Sequence, residues 1–188
     1  MKIIFLISSL LFLIVTASGQ HHEYLKPDTA VSNININDYK STERVLGKSS
    51  WNKQFEQTGS LPRIEIVNKT GTQILRLFFH YGGSKNSVDE FEIMDIDSAY
   101  KIPKQAIYSE DEQFITSNKT YLGISRKDLV KKLGNSYKSS ISGNVEQLVY
   151  TIDDKPNFVR RYNQYRYYIK CVFKDGILIK YSFGFESE

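Results

Sequence analysis

YRYYIKCVFKDGILIKYSF, residues 165–183, is the stretch of sequence that says most about the fold. Apolar and polar side chains alternate on both sides of Asp175-Gly176, which is typical of two β-strands joined by a tight turn. A loop over residues 174–176 gives four cross-strand pairs on one apolar face: Phe173–Ile177, Cys171–Ile179, Ile169–Tyr181 and Tyr167–Phe183. We therefore predict a three-residue loop with a positive φ at Gly176, because glycine adopts that conformation without steric cost.

The remaining pattern predicts short helices and further strands. Ser125 to Asp128 has the form of a capping box and opens a helix over residues 126–133, which ends at Gly134. This helix is too short to be stable alone in water, so it must pack on a sheet. The other predicted elements are a helix over 38–46, strands over 64–67, 72–80, 91–96 and 146–152, and a polar loop over 153–161.

The two halves of the chain show the same order of elements. Each has a short helix ending in Leu-Gly, then a strand, a turn that contains glycine, and a second strand. This order predicts the α+β class, with short helices packed on antiparallel sheet in two related helix-plus-hairpin repeats. We place a signal peptide at 1–19, a mobile leader at 20–36, the first repeat and its connection at 37–112, and the second repeat at 113–188.

Residues 122–136 carry a resemblance to a known family. They read Leu-Gly-Ile-Ser-Arg-Lys-Asp-Leu-Val-Lys-Lys-Leu-Gly-Asn-Ser, which resembles the helix of SmpA/OmlA/BamE-like domains. The likeness covers residues 122–184 fairly well and 38–96 weakly, and a tandem of such units resembles the beta-lactamase-inhibitor proteins. The resemblance implies small helices on an antiparallel sheet and the binding of other macromolecules. The chain departs from both groups, because it has neither a lipoprotein cysteine after the signal peptide nor a disulfide.

The first nineteen residues indicate export. Lys2 precedes an apolar run from Ile3 to Val15, and small residues follow at Ala17 and Gly19, which is the layout of a secretory signal peptide. A run of about thirteen apolar residues is too short to span a bilayer, which takes about twenty. We expect cleavage after Gly19, with Ala17 as the alternative, and a periplasmic or secreted mature chain without a transmembrane span.

Few residues of the chain suggest catalysis, and we predict no enzyme activity, cofactor or metal site. Cys171, the only cysteine, lies in an apolar strand and is expected to be a buried, unreactive thiol. His80 has no acid or second ligand at the spacing of a triad or a metal site.

The net charge of +4 is too small to indicate nucleic acid as a partner. Asn68 and Asn118 begin N-glycosylation patterns, which matter only in a eukaryotic host.

An exported hydrolase that acts on envelope polysaccharide is the alternative function. Such an enzyme needs two facing carboxylates. Acids cluster around one predicted strand, at Asp89, Glu90, Glu92, Asp95 and Asp97. A solvated strand face explains the same acids without catalysis, and the sequence alone does not separate the two interpretations.

The candidate binding site is the outward side of the hairpin in residues 165–183. Five basic or tyrosine residues lie on the face away from the predicted core or beside it: Arg166, Tyr168, Lys170, Lys174 and Lys180. Basic groups mixed with tyrosine can hold an anionic partner, although the solvated side of any two-faced sheet shows similar alternation. We therefore expect a non-enzymatic exported protein that binds another macromolecule, either an envelope protein or an anionic glycan or lipid head group.

Overall fold

One eight-stranded sheet, built from both halves of the chain, organises the fold. The computed structural model describes residues 25–47, 63–79, 87–104, 106–153 and 156–186, so the predicted signal peptide and all three histidines lie outside the described residues. In chain order the elements are β1 (Ala30–Val31), β2 (Ile34–Asn35), α1 (Tyr39–Leu46), β3 (Arg63–Val67), β4 (Gln73–Phe78), β5 (Glu90–Asp95), β6 (Ile107–Tyr108), α2 (Arg126–Leu133), β7 (Lys138–Ser142), β8 (Val145–Ile152), α3 (Pro156–Arg161), β9 (Tyr167–Lys174) and β10 (Ile177–Phe185).

The large sheet joins strands that are far apart in the chain. Its order is β6-β3-β4-β5-β10-β9-β8-β7, while β1 and β2 pair separately. Every neighbouring pair in the large sheet is antiparallel except β3 and β6, which are parallel, so the sheet is mixed.

The predicted α+β class, with two helix-plus-hairpin repeats, is wrong. The described residues contain helices of only 8, 8 and 6 residues, and the fold is mostly β. Strand β5 from the first half pairs with β10 from the second over five residue pairs, from Glu90–Gly184 to Met94–Lys180. The two hairpins that suggested a repeat therefore lie within a single sheet. Local patterns located these strands correctly, but they hold no information on which distant strand each one joins.

The hairpin in residues 165–183 forms, but its turn is shorter than predicted. Lys174 pairs with Ile177, so the loop contains only Asp175 and Gly176. Their φ angles are 52° and 77°, and a type I′ turn requires a positive φ at both positions. The positive φ at Gly176 is confirmed, and the three-residue loop is wrong.

A β-bulge gives this hairpin the apolar face that a two-residue turn would otherwise disrupt. The register shifts between Leu178 and Lys180, which makes Ile179 the extra residue. Beyond the bulge, Cys171 pairs with Tyr181, two residues further along than predicted. A shift of two residues keeps every side chain on its face of the strand. The predicted inward residues of β9 are therefore buried: Tyr167, Ile169, Cys171 and Phe173.

The core lies on one face of the large sheet, here called the core face. Alternate side chains of β3, β4, β5, β8, β9 and β10 project into it, and Phe91 stacks on Phe183 with ring centroids 5.0 Å apart. Helix α2 packs on this face through Leu129 and Leu133. This agrees with the expectation that a helix of eight residues needs a sheet to pack on. Helix α3 adds Val159, although the sequence analysis predicted a polar loop there.

Both predicted helices are confirmed; α2 has the predicted capping serine and terminal glycine, and Asp38, which the prediction placed inside the first helix, is its N-cap. The Asp38 side chain accepts from the backbone N–H of Lys40 at the start of α1, and Gly47 ends that helix. At the start of α2, the Ser125 hydroxyl accepts from the backbone N–H of Asp128 at 3.1 Å. A side-chain oxygen at this position satisfies a backbone donor that the first turn leaves without an intrahelical partner.

Residues 25–36, which the sequence analysis placed in a mobile leader, belong to the fold. Val31, Ile34 and Ile36 are buried in the core. Asp28 is fully buried, and its carboxylate oxygen Oδ2 accepts a hydrogen bond from Tyr181 Oη at 2.7 Å. The three buried apolar residues of this segment show neither helical nor strand periodicity over a long enough run. The sequence pattern therefore did not indicate that the segment is ordered.

Candidate functional site

A groove lies on the sheet face opposite the core. We call this face, where it runs across β5, β10, β9 and β8, the open face. Its side chains on β9 are half-exposed at alternate positions, whereas the intervening side chains are buried. The open-face groove has a volume of about 410 Å³ and is lined by Glu90, Glu92, Gln147, Val149, Tyr168, Lys170, Ser182, Phe185 and Glu186.

Strand register places the groove residues in rows across the sheet. Glu92 pairs with Ser182, Ser182 with Lys170, and Lys170 with Val149, so their side chains share one line across four strands. On the other side of Glu92, the row continues to Arg76 on β4 and Glu65 on β3. Neighbours in such a row are close enough to interact directly. The row therefore alternates acid and base from Glu65 through Arg76 to Glu92. It then continues into the groove through the hydroxyl of Ser182 and the ammonium of Lys170.

Glu92 is a heavily bonded acid of the groove. Its carboxylate accepts from Arg76 Nη1 at 2.9 Å and from Ser182 Oγ at 3.3 Å, and it lies 2.6 Å from Lys180 Nζ. Burial alone would raise the pKa of Glu92, but the hydrogen bonds and charges of Lys180 and Arg76 outweigh burial and hold that pKa below its ordinary value. Glu92 is therefore a fixed, ionised carboxylate.

The β3 and β4 end of the same sheet face is closed by Tyr100. Its hydroxyl donates to Glu65 Oε2 at 2.8 Å and accepts from Arg76 Nη2 at 3.1 Å. Arg76 Nε also donates to Glu65 Oε1 at 2.9 Å, so the guanidinium is held between two carboxylates. This cluster meets the groove at Glu92, which belongs to both, while Glu65, Arg76 and Tyr100 lie outside the groove lining.

Tyr168 lies in the groove with a protonated hydroxyl. Burial, together with the charge and hydrogen bond of Glu90, raises the pKa of Tyr168 well above its ordinary value. The side chain is mostly buried but still lines the groove. Tyr168 therefore offers an aromatic surface and a neutral hydroxyl rather than a charge.

The structure separates the five predicted binding residues. Tyr168 and Lys170 line the groove. Lys180 points to the same face, but its ammonium is paired with Glu92. Lys174 is exposed at the end of β9 and does not line the groove. Arg166 lies at the groove's edge, where Asp153 at 2.6 Å and Glu186 at 2.8 Å hold its guanidinium.

The groove is not the basic surface that the sequence suggested, because acids from neighbouring strands lie beside its basic residues. A row of outward lysines on one hairpin indicated a basic surface. The neighbouring strand β5 adds Glu90 and Glu92, and the residue after β10 adds Glu186, so acids line the groove beside Lys170. The acids of residues 89–97 form a visible cluster in the sequence, but only the pairing of β5 with β10 brings Glu90 and Glu92 to the hairpin.

Two other groups considered in the sequence, Cys171 and Asn68, are buried. Cys171 is a free, fully buried thiol, and burial raises its pKa, which confirms the predicted buried cysteine. Asn68 is fully buried, and its amide nitrogen donates to Thr70, Thr72 and the carbonyl of Glu112. A glycosyltransferase therefore has no access to Asn68 in the folded chain. Within the described residues no group of three or more His, Cys, Asp or Glu side chains has the arrangement of a metal site.

Comparisons with protein-family models, curated proteins and solved structures give no match to the chain. The likeness of residues 122–136 to BamE-like domains therefore stays a prediction. None of the helices in the described part of the chain has the length and apolar character that a membrane-spanning helix requires.

Proposed function

We propose that this chain is a non-enzymatic exported protein that binds another exported or envelope protein in the open-face groove. Export is inferred from residues 1–19. The observation that carries the binding proposal is a concave polar surface in the middle of the sheet, lined by acids, a lysine, a tyrosine and an amide. Its volume of about 410 Å³ lies in the range of ligand sites and accommodates a few side chains of a partner.

The mixed charge of the groove favours a protein over an anionic glycan or lipid head group. Three acids and one lysine line the groove, and the basic side chains beside it, Lys180 and Arg166, are already paired with Glu92 and Glu186, so little positive charge is left for an anion. A protein segment can carry both signs of charge and match Lys170 and the acids together. Tyr168 adds the rigid aromatic contact area that is common at the centre of protein interfaces.

The two lysines of β9 provide a matched test. Lys170 lines the groove, whereas Lys174 lies on the same strand outside it. The mature chain is immobilised and exposed to envelope extract, and the bound proteins are compared for wild type, K170E and K174E. We expect one captured protein to be retained by K174E and weakened about tenfold or more by K170E, as for a central interface residue. Equal capture by all three chains would contradict the proposal.

A polysaccharide hydrolase remains the second candidate, because Glu90 and Glu92 both line the groove. The bonding of Glu92 argues against the role of general acid, which needs a carboxyl with a raised pKa. The discriminating assay is release of reducing ends from envelope polysaccharide by wild type, E90Q and E92Q. Turnover that either substitution abolishes would establish the hydrolase, and absence of turnover in wild type with protein capture intact supports binding.

A further inference from the structure

A second concave site lies on the other side of the molecule, where the N-terminal segment meets α2. It has a volume of about 340 Å³ and is lined by Lys26, Ser117, Asn118, Lys119, Lys132 and Leu133. Three of these six residues are lysines, and none of the described residues that line the pocket is acidic. The three lysines come from separate parts of the chain, so only the fold brings them together.

Hydrogen bonds join the three segments that frame this pocket. Asn118 donates its side-chain N–H groups to the carbonyls of Lys26 and Pro27, both at 3.0 Å, which ties the N-terminal segment to the 117–120 turn. Lys132 Nζ donates to the carbonyl of Lys119 at 2.8 Å, which ties α2 to the same turn. An ammonium has three donors, so this bond leaves two N–H groups of Lys132 for a ligand.

The charge balance around the pocket is positive. Behind it lies the buried carboxylate of Asp28, whose Oδ1 accepts from Ser117 Oγ at 3.1 Å and from the Asn118 backbone N–H at 2.8 Å. Burial and the neighbouring Lys119 lower the pKa of Lys132, although the Asp28 charge acts in the opposite direction. Three ammonium groups against one carboxylate leave a net charge of about +2, which matches a dianion.

We propose that this lysine pocket binds a phosphoryl dianion, carried either by a free phosphate-containing small molecule or by a phosphomonoester lipid head group. Charge-assisted hydrogen bonds from Lys26, Lys119 and Lys132 would hold its oxygens. The site is separate from the open-face groove, and its ligand is independent of the partner proposed there. The carboxylate of Asp28 is shielded by its own donors and does not face the anion directly.

The test uses the mature chain and two probes. Inorganic phosphate is titrated by calorimetry, and binding to phosphatidylcholine vesicles is measured with and without added phosphatidic acid. The double variant K119Q/K132Q removes two of the pocket's charges. K101Q/K104Q removes the same number of charges from two exposed lysines that do not line the pocket and serves as the control.

We expect saturable binding of at least one probe by wild type and by the control, and affinity about tenfold or more weaker in K119Q/K132Q, since two charge-assisted contacts are lost. Binding of free phosphate identifies a small-molecule ligand, and binding only to phosphatidic acid vesicles identifies a head group. No saturable binding of either probe by wild type, or equal weakening in the pocket and control variants, would overturn the proposal.

Discussion

Gly184 shows how one residue determines whether two strands can approach each other. It lies on β10 between Glu90 of β5 and Tyr168 of β9, with a φ of 156°. A Cβ built at this position would overlap the carbonyl oxygen of Asp89 and the backbone of Glu90. The close approach of β5 to β10, which brings Glu90 to the groove, therefore requires glycine here.

We predict that Gly184→Ala lowers the free energy of unfolding by about 2 to 4 kcal/mol, because backbone atoms must move to admit the methyl group. Gly143→Ala is the control: its φ of 61° is also unfavourable for alanine, but its surroundings are open. That control is expected to lose only about 1 kcal/mol. Urea denaturation of both variants measures the difference, and equal losses would show that the strands adjust without cost.

At the scale of elements, the β9–β10 hairpin depends on two left-handed residues followed by a bulge. Asp175 and Gly176 both have positive φ, and Asp175 also accepts hydrogen bonds from the Asn144 side chain at 3.1 Å. Asparagine and aspartate tolerate this conformation better than most residues, whereas alanine is strained in it. The turn is therefore sensitive to the side chain at residue 176.

We predict that Gly176→Ala costs about 1 kcal/mol of stability, while Asp175→Asn changes it by less than about 0.5 kcal/mol. The midpoint of guanidinium denaturation should fall for the first variant and stay near that of wild type for the second. A midpoint that Gly176→Ala leaves unchanged would contradict the left-handed conformation assigned to residue 176.

Elements with strong local signals could be predicted from the sequence. Helix α2 has a capping serine, leucines at helical spacing and a terminal glycine, and all of these act within one segment. Strand β7 reads Lys-Ser-Ser-Ile-Ser and is exposed throughout, so neither burial nor alternation marks it. Its strand conformation comes from pairing with β8. Residues 30–36 likewise gain their structure from tertiary contacts.

At the scale of the whole molecule, the order of the strands in the sheet determines which residues meet in the groove. Local sequence patterns do not predict that order. Tyr168 and Lys170 could be placed on an outward face from the alternation of β9. Glu90, Glu92 and Ser182 join them only because β5, β10 and β9 are neighbours. The predicted binding residues therefore include only two of the nine that line the groove, and the acids from β5 and from Glu186 alter the basic character that the sequence suggested.

The buried hydroxyls and thiol of the sheet make a prediction about alkaline stability. Burial raises the pKa of Tyr150, Tyr167, Tyr168, Tyr181 and Cys171, and the charge of Asp28 adds to the effect at Tyr167 and Tyr181. A folded-state pKa above the unfolded value gives stability that is present below the unfolded pKa and lost above it. Each such tyrosine should cost about 1.4 kcal/mol per pH unit above about pH 10.

Absorbance of ionised tyrosine and far-ultraviolet circular dichroism, followed together from neutral pH upward, check this prediction. The exposed members of the thirteen tyrosines should ionise first, and the buried ones should ionise only as the circular dichroism signal of the fold is lost. Ionisation of every tyrosine near pH 10 in a chain that stays folded would contradict the assigned burial.

The central claim, that a partner protein occupies the open-face groove, is tested most directly by site-specific photocrosslinking in the producing cells. A benzophenone amino acid replaces Gln147, which lines the groove, or Ser139, which pairs with Leu148 and lies on the opposite face of the neighbouring edge strand. We predict a discrete adduct with another protein from position 147 and none from position 139. An adduct from position 139 alone, or no adduct from position 147, would contradict the claim.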